Sequence, residues 1–366
     1  MKHILSKRNT ISLLAGFGTS VIFLLFPLYA ESLGAGYELI GLIVSIYAAS
    51  SAITFYFAGH FSDSRALRKY LICAGLLLMT GSALFHYMAD SISILTLARI
   101  GYGLGLGLYT GPIIAYVGRK GSRKKIGSFL GYYALGWGAG VFTGGYLTNI
   151  LNFNTLFALF SIPSFAAFLV SLTIPKQNIS RIEIPLFPVE LIKDNSKLFS
   201  SFFLRNLTAQ AIWMIMPLYV VSSLGGSSAT VSYLFGINSI VQFFVMNAIV
   251  RFKFKDVSLV KFGFISSVIV FVLIALATSV KFLIPVFFLL GIVWATLYVG
   301  SNNYLIKNNK EKATLAGLLQ SSRSMGIIIG PAIAGVLLNF YGFRYTILLL
   351  TIISVIAALI GVMIKE

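Results

Sequence analysis

The sequence predicts an all-α polytopic membrane protein of twelve transmembrane helices in two pseudo-symmetric six-helix bundles. Three observations carry that reading: a series of long apolar stretches, residues that recur at a fixed interval, and a one-sided distribution of Lys and Arg. Hydrophobic residues make up 58% of the 366-residue chain and charged residues only 10%, where a soluble domain carries about 25% charged residues. Water is not the main solvent of such a chain.

The recurrence is direct. Pro27-Leu28-Tyr29 returns as Pro217-Leu218-Tyr219. Gly127, Gly136, Gly140, Gly145, Leu147, Asn149 and Phe153 return as Gly317, Gly326, Gly330, Gly335, Leu337, Asn339 and Phe343, each pair 190 residues apart. Two copies of a helical unit too apolar for water imply a transporter built from two halves about a central path.

About 20 apolar residues cross a hydrocarbon layer of ~30 Å, and stretches of that order follow one another along the chain. The first, 9–30, is too long for a cleaved signal and leads directly into five more. These are 38–60, closing on Gly59; 69–89; 92–117, with Gly101, Gly103, Gly105 and Gly107; 126–149, with a second glycine series; and 155–174. The second copy gives 199–222, 230–250, 259–279, 282–306, 313–339 and 345–364. A polar, Pro-bounded interval, 175–198, separates the copies and is too short for a domain of its own. The expected division is therefore an N-terminal bundle over 1–174, a cytoplasmic linker over 175–198 and a C-terminal bundle over 199–366.

Charge sets the orientation. With both termini inside, 23 of the 28 basic residues fall in cytoplasmic segments, Lys281 and Arg344 fall outside, and Arg99, Arg205 and Arg323 fall within spans. The excess on one side follows the positive-inside rule and predicts a multi-pass protein of the plasma membrane with cytoplasmic termini. The run Arg119-Lys120-Gly121-Ser122-Arg123-Lys124-Lys125 then reads as an anchor facing anionic lipid. A net charge of +18 would suggest nucleic acid in a soluble protein; here its distribution argues for the bilayer as partner, and no nucleic acid is expected.

Several motifs resemble those of the major facilitator superfamily of secondary transporters, over essentially the whole length. Gly59-x-x-x-Asp63 followed by Arg65, Arg68 and Lys69 is similar to the superfamily's loop between spans two and three. It departs from the pattern in having Ser64 after the aspartate and the basic pair displaced by one. The resemblance implies gating roles for Gly59, Asp63, Arg65 and Arg68. Gly59 would allow close helix approach, and Asp63 would hold a helix N-terminus or a basic partner in one conformation. Leu95, Arg99 and Gly103 resemble the fourth-helix motif, in which a buried arginine is linked to proton transfer. Gly136-x-x-x-Gly140-Val141-x-x-Gly144-Gly145 resembles the fifth-helix motif of antiporters and drug exporters, with Val141 where proline is usual. Gly326-x-x-x-Gly330-Pro331-x-x-Ala334-Gly335 repeats it with the proline present. The two stripes are expected to face one another as the seam on which the halves rock.

The resemblance also implies that spans one, four, seven and ten line the path. Helical spacing puts Asn206, Gln210 and Trp213 on one stripe beside Arg205, and Trp294, Tyr298, Ser301 and Asn302 on another. Asn238 and Gln242, then Tyr47, Ser51 and Thr54, then Tyr133 and Trp137 complete the candidate wall. Arg99 lies ~10 Å deep, Arg205 ~10 Å and Arg323 ~15 Å at 1.5 Å per residue. Each arginine costs about 2.5–3.5 kcal/mol to insert, and none of the ten acids falls mid-membrane. A positive cavity for an anionic or amphiphilic small molecule gives that cost a purpose. Glu31, near an outer end, is the nearest candidate for a coupling proton.

The leading expectation is an efflux-type secondary transporter working by alternating access, with proton-coupled antiport as one form. Uptake of an organic anion or neutral metabolite is the alternative within the class, and a non-transporting receptor or assembly factor the alternative outside it. An enzyme is not expected: no embedded nucleophile–base pair, HExxH or Gly-x-Ser-x-Gly occurs, and no Gly-Lys-Ser/Thr phosphate loop is present. No catalytic residue, metal site or cofactor is assigned, the single Cys73 permits no internal disulfide, and a monomer is expected.

Overall fold

A computed structural model describes residues 6–118, 123–148, 150–252 and 254–365. Arg119 to Ser122 of the basic run and Asn149 of the repeat lie outside the described residues. Among the described residues there is no strand; eleven long helices, one short one and a five-residue π-helical turn (Tyr219–Ser223) account for the ordered chain. The first half holds α1 (Lys7–Ser32), α2 (Tyr37–Ser64), α3 (Arg68–Tyr87), α4 (Ile92–Val117), α5 (Arg123–Leu147) and α6 (Phe153–Leu172). The short α7 (Val189–Asp194) follows, then α8 (Ser196–Leu218), α9 (Ser228–Ile249), α10 (Asp256–Ala275), α11 (Val280–Asn308) and α12 (Lys312–Val362). Gly342, at φ 67° and ψ 174°, breaks α12 into two spans. That backbone conformation is open to glycine at little cost, so two helices joined at a sharp turn serve as the last two of the twelve spans.

Short polar side chains define several helix starts. Ser6 accepts the Asn9 amide at the head of α1, and Asn152 accepts the Thr155 amide at the head of α6. Ser227 and Thr230 form a reciprocal capping box on α9. Such caps satisfy N–H groups that have no partner within the helix. Nine of the helices are apolar and long enough to cross a membrane on composition alone. The glycine-rich α5 and the polar α8 fall short of that apolarity, and both turn polar faces inward.

The two halves repeat one packing scheme. In the first, α1 packs on α5 and α6, α3 on α4 and α6, and α2 on α4. In the second, α8 packs on both limbs of α12, α10 on α11 and α12, and α9 on α11. The duplicated residues make duplicated contacts. The Tyr29 hydroxyl donates to the Ala89 carbonyl and Tyr219 donates to Ala277 at 2.8 Å. Their rings meet Phe153 at 5.8 Å and Phe343 at 5.5 Å. Gly140 abuts the Phe17 carbonyl of α1, as Gly330 abuts the Leu207 carbonyl of α8.

This geometry corrects one expectation. The stripe Gly136, Gly140 and Gly144 lies against Leu13, Phe17, Ser20 and Val21 of α1, while Gly326 and Gly330 lie against α8. Both stripes therefore bind helices within a half, and α5 and α12 do not face one another as a seam. Gly335 has open space where its Cβ would stand. The halves meet instead along α5–α9 and α2–α12. Glycines on those seams include Gly127, Gly131, Gly138 and Gly145 of α5, which meet Met246, Phe243, Ser239 and Ser232 of α9, and Gly317, which meets Phe55 of α2. Spacings of four and seven put them on one line of the helix, turned away from the line that faces α1.

Candidate functional site: a cavity between the halves

Between the seams lies a cavity of about 220 Å³. Its walls come from α1, α2, α4 and α5 on one side and from α8 to α12 on the other; α3 and α6 contribute nothing to it. Of the sequence-derived wall, Arg205, Asn206, Gln210, Trp213, Asn238, Gln242, Trp294, Tyr298 and Arg323 all line the cavity, as do Tyr47, Ser51, Tyr133 and Trp137. Helical spacing gathered them because residues three and four apart share a face.

Four expected wall residues, Arg99, Ser301, Asn302 and Thr54, lie elsewhere, Ser301 being fully buried. Arg99 is 2% exposed and sits behind the wall, with its guanidinium 4.1 Å from the Phe26 ring centroid and 4.5 Å from that of Tyr47. Its Nη1 donates to the Ile22 carbonyl at 3.3 Å. Two aromatic faces and a carbonyl hold this cation, so it packs α4 against α1 and α2 and reaches the cavity only through Tyr47. Asn302 is fully buried behind Tyr298, whose carbonyl it meets at 2.9 Å. Glu31 is exposed on the last turn of α1 and does not line the cavity. Thr54 also leaves the wall, bonding back to the Ser50 carbonyl at 2.7 Å.

The charged part of the site belongs to the second half. Arg205 donates through Nε to Ser267 Oγ at 3.0 Å, and its guanidinium lies 5.0 Å from the Trp294 centroid. Arg323 lies 5.7 Å from the same ring. Trp294 stacks on Tyr298 at 5.0 Å and 14°, and the Tyr298 hydroxyl accepts from Gln320 Nε2 at 2.6 Å. A desolvated cation–π contact contributes ~2 kcal/mol, comparable with the insertion cost of an arginine. No Asp or Glu lines the cavity among the described residues. Sequence reasoning missed Tyr109, Thr19 and Gln320 on the wall. Gln320 was within reach, because it stands three residues before Arg323 and so shares its helix face. Tyr109 and Thr19 have no polar residue three or four positions away to mark their face.

One end of the cavity is closed, the termini end, at which α1 begins and α12 finishes. There Asp63 Oδ2 accepts the Ala313 and Thr314 amides at 2.7 and 2.9 Å and the Thr314 hydroxyl at 3.2 Å. Asp63 Oδ1 pairs with Arg68 Nη2 at 2.7 Å, and both side chains are almost fully buried. The carboxylate thus caps the first turn of α12, where free N–H groups and the helix dipole favour negative charge. Gly59 makes room, since its Cβ would collide with the Ala313 carbonyl. Arg68 also bonds Gln177 at 3.3 Å, and Gln177 bonds the Tyr116 carbonyl at 2.9 Å, tying the 175–188 segment beneath the closure. Arg65, expected to share this role, lies over the Phe61 ring at 5.4 Å and is exposed. It is Arg68, at the head of α3, that reaches Asp63.

The second seam closes differently. At the head of α5, Arg123 Nε lies 3.2 Å from Asp256 Oδ1 of α10, and Arg123 Nη1 donates to the Phe254 carbonyl. Shifted by the repeat interval, Arg123 corresponds to Ala313. The same corner of each half is therefore a helix head gripped by a carboxylate in one place and an arginine reaching for one in the other.

The Major Facilitator Superfamily model matches residues 10–311 and again residues 198–365, the second match covering the second copy alone. The chain is 24% identical over 342 residues to the quinolone resistance protein NorA of Staphylococcus aureus, covering 88% of this chain and 87% of that one. It is 27% identical over 369 residues to the multidrug resistance protein MdtG of Klebsiella pneumoniae, covering 90% and 86%. The crystal structure of the human organic anion transporter MFSD10 superposes with a TM-score of 0.81 over 97% of this chain and 98% of that one, at 16% identity, a likeness of fold. With its twelve spans, its repeated packing and its central cavity, the chain belongs to the Major Facilitator Superfamily and is a multi-pass membrane transporter.

Proposed function

We propose that this transporter is an efflux-type secondary carrier of an amphiphilic small molecule, moved by alternating access across the plasma membrane with both chain termini cytoplasmic. Its moving parts are the bundles 1–174 and 199–366, linked by 175–198. The observation that carries the reading is the aromatic, amide-lined cavity between the halves, sealed at the termini end by Asp63 and the head of α12. On this orientation the structure is the state closed to the cytoplasm, and release of the Asp63 contact opens the other route. The seams that flex are α2–α12 and α5–α9; the glycine stripes hold each bundle rigid while it tilts.

Efflux is supported by the names of the two relatives, which describe resistance to quinolones and to multiple drugs. The cavity supports an amphiphile, because large aromatic surfaces alternate with a few amides that fix orientation. The test is accumulation of a fluorescent quinolone in cells expressing the chain, against cells carrying the Gly59→Leu variant, which cannot close the α2–α12 seam. Lower steady-state accumulation with the native chain is expected. Equal or higher accumulation overturns export.

A further inference from the structure

The two arginines of the cavity share one indole, and no Asp or Glu among the described residues lines the cavity with them. Arg205 and Arg323 come from different helices, α8 and α12, yet both guanidinium groups lie within 6 Å of the Trp294 centroid, at 5.0 and 5.7 Å. Arg205 has its Nε on Ser267, whereas the buried Nε of Arg323 has no hydrogen-bond partner. Two further polar atoms at the same wall are buried and unpartnered, Asn206 Oδ1 and Asn238 Nδ2, on residues 1% and 4% exposed. Aromatic faces attract a cation through their quadrupole but cannot neutralise it, and a buried charge is tolerated when it is paired and hydrogen-bonded. The wall supplies no acid among the described residues.

We propose that the cavity is a binding site for an aromatic organic anion, its carboxylate between Arg205 and Arg323 and its ring against the aromatic wall. The proposal rests on the reading of this cavity as the transport site. The carboxylate accepts from the two guanidinium groups, which suit it as planar forks of donors. The Asn238 amide is a further donor beside it. The ring packs against Trp213 and, across the cavity, Tyr133 and Trp137 of the other half. The ligand therefore touches both bundles, its charge on one and its apolar body on the other. A lipophilic cation with the same ring meets two like charges and is rejected.

The test is a charge ladder on one ring: 1-naphthoate, 1-naphthylmethanol and 1-naphthylmethylammonium, each titrated against purified full-length protein by thermal shift and tryptophan fluorescence. Naphthoate is expected to bind at least tenfold more tightly than the alcohol, a difference of about 1.4 kcal/mol, and the ammonium more weakly than either. Arg323→Gln and Arg205→Gln should each weaken naphthoate about tenfold and leave the alcohol within about twofold. Arg323→Lys, which keeps the charge, should retain most of the preference. Alcohol binding reports that a variant is folded, and the ladder on the native chain stands even where a variant is not. Equal binding of acid and alcohol, a preference for the ammonium, binding of none of the three, or a preference that survives in both Gln variants overturns the site. Counterflow of the same probes in proteoliposomes separates the two readings: movement of the alcohol or ammonium without the acid keeps a carrier and removes the anion site.

Discussion

Gly140 and Gly127 stand 13 residues apart on one helix and serve different contacts. The Cβ position of Gly140 falls 2.8 Å from the Phe17 carbonyl oxygen of α1, within its own half. Gly140→Leu is therefore expected to loosen the N-terminal bundle itself. A loss of several degrees in melting temperature, read by tryptophan fluorescence on purified protein, should accompany the loss of transport, since overpacking costs about 1–3 kcal/mol. Gly127 has its Cβ position 2.6 Å from the Met246 carbonyl of α9, across the halves. Gly127→Val should leave the melting temperature near native and stop transport, because it wedges a seam while sparing a core. An unchanged melting temperature for Gly140→Leu would remove the distinction. The glycines were legible in the sequence and their partners were not. A four-residue stripe announces a packing face, but which neighbour fills it depends on how helices far apart in the chain are arranged.

At the scale of elements, twelve spans could be read because lipid leaves the backbone no partner but itself. Span lengths followed from hydropathy, and even the last two, fused into α12, were separated at the position where Gly342 turns the chain. The wall residues of α8, α9 and α11 were legible for the same reason, since polar groups at helical spacing in an apolar stretch have one face to share. Arg99 was misplaced because the sequence shows depth and hides direction: the same position serves the cavity or the packing behind it. Asp63→Asn tests the closure between elements. Removing the charge leaves the α12 amides an acceptor but ends the pair with Arg68, and breaking one side of a buried pair costs about 3–5 kcal/mol. Labelling of Ser51→Cys by a membrane-impermeant thiol reagent from the termini side should rise severalfold in the Asp63→Asn background. No rise would mean that Asp63 does not hold the closure.

The whole molecule is two copies of one packing scheme meeting along two seams, with a single long excursion, the 175–188 segment, between them. Each half is built on its own helix pairs, while one apolar cluster, with Ile126, Met246 and Ile306, spans both. Fragments 1–180 and 181–366 expressed together are therefore expected to assemble and co-purify through α2–α12 and α5–α9, with thermal stability below that of the intact chain. Failure to co-purify, with each fragment inserted, would show that the seams need the covalent link. The repeat interval made the duplication plain without any coordinates. The charge of the cavity was also visible at this scale, in three arginines without a membrane-embedded acid, although the structure assigns only two of them to the cavity.

The unlike corners of the closed end carry a consequence for how the carrier responds to its medium. Electrolyte screens charges in contact with water over a Debye length of about 8 Å at physiological ionic strength and acts far less on buried ones. Asp63 is sheltered, while Arg123 and Asp256 remain partly accessible, at 21% and 13% for their side chains. Raising salt on the termini side should thus slacken one seam and spare its counterpart, so that the lobes part like a door and not like a lid lifted evenly.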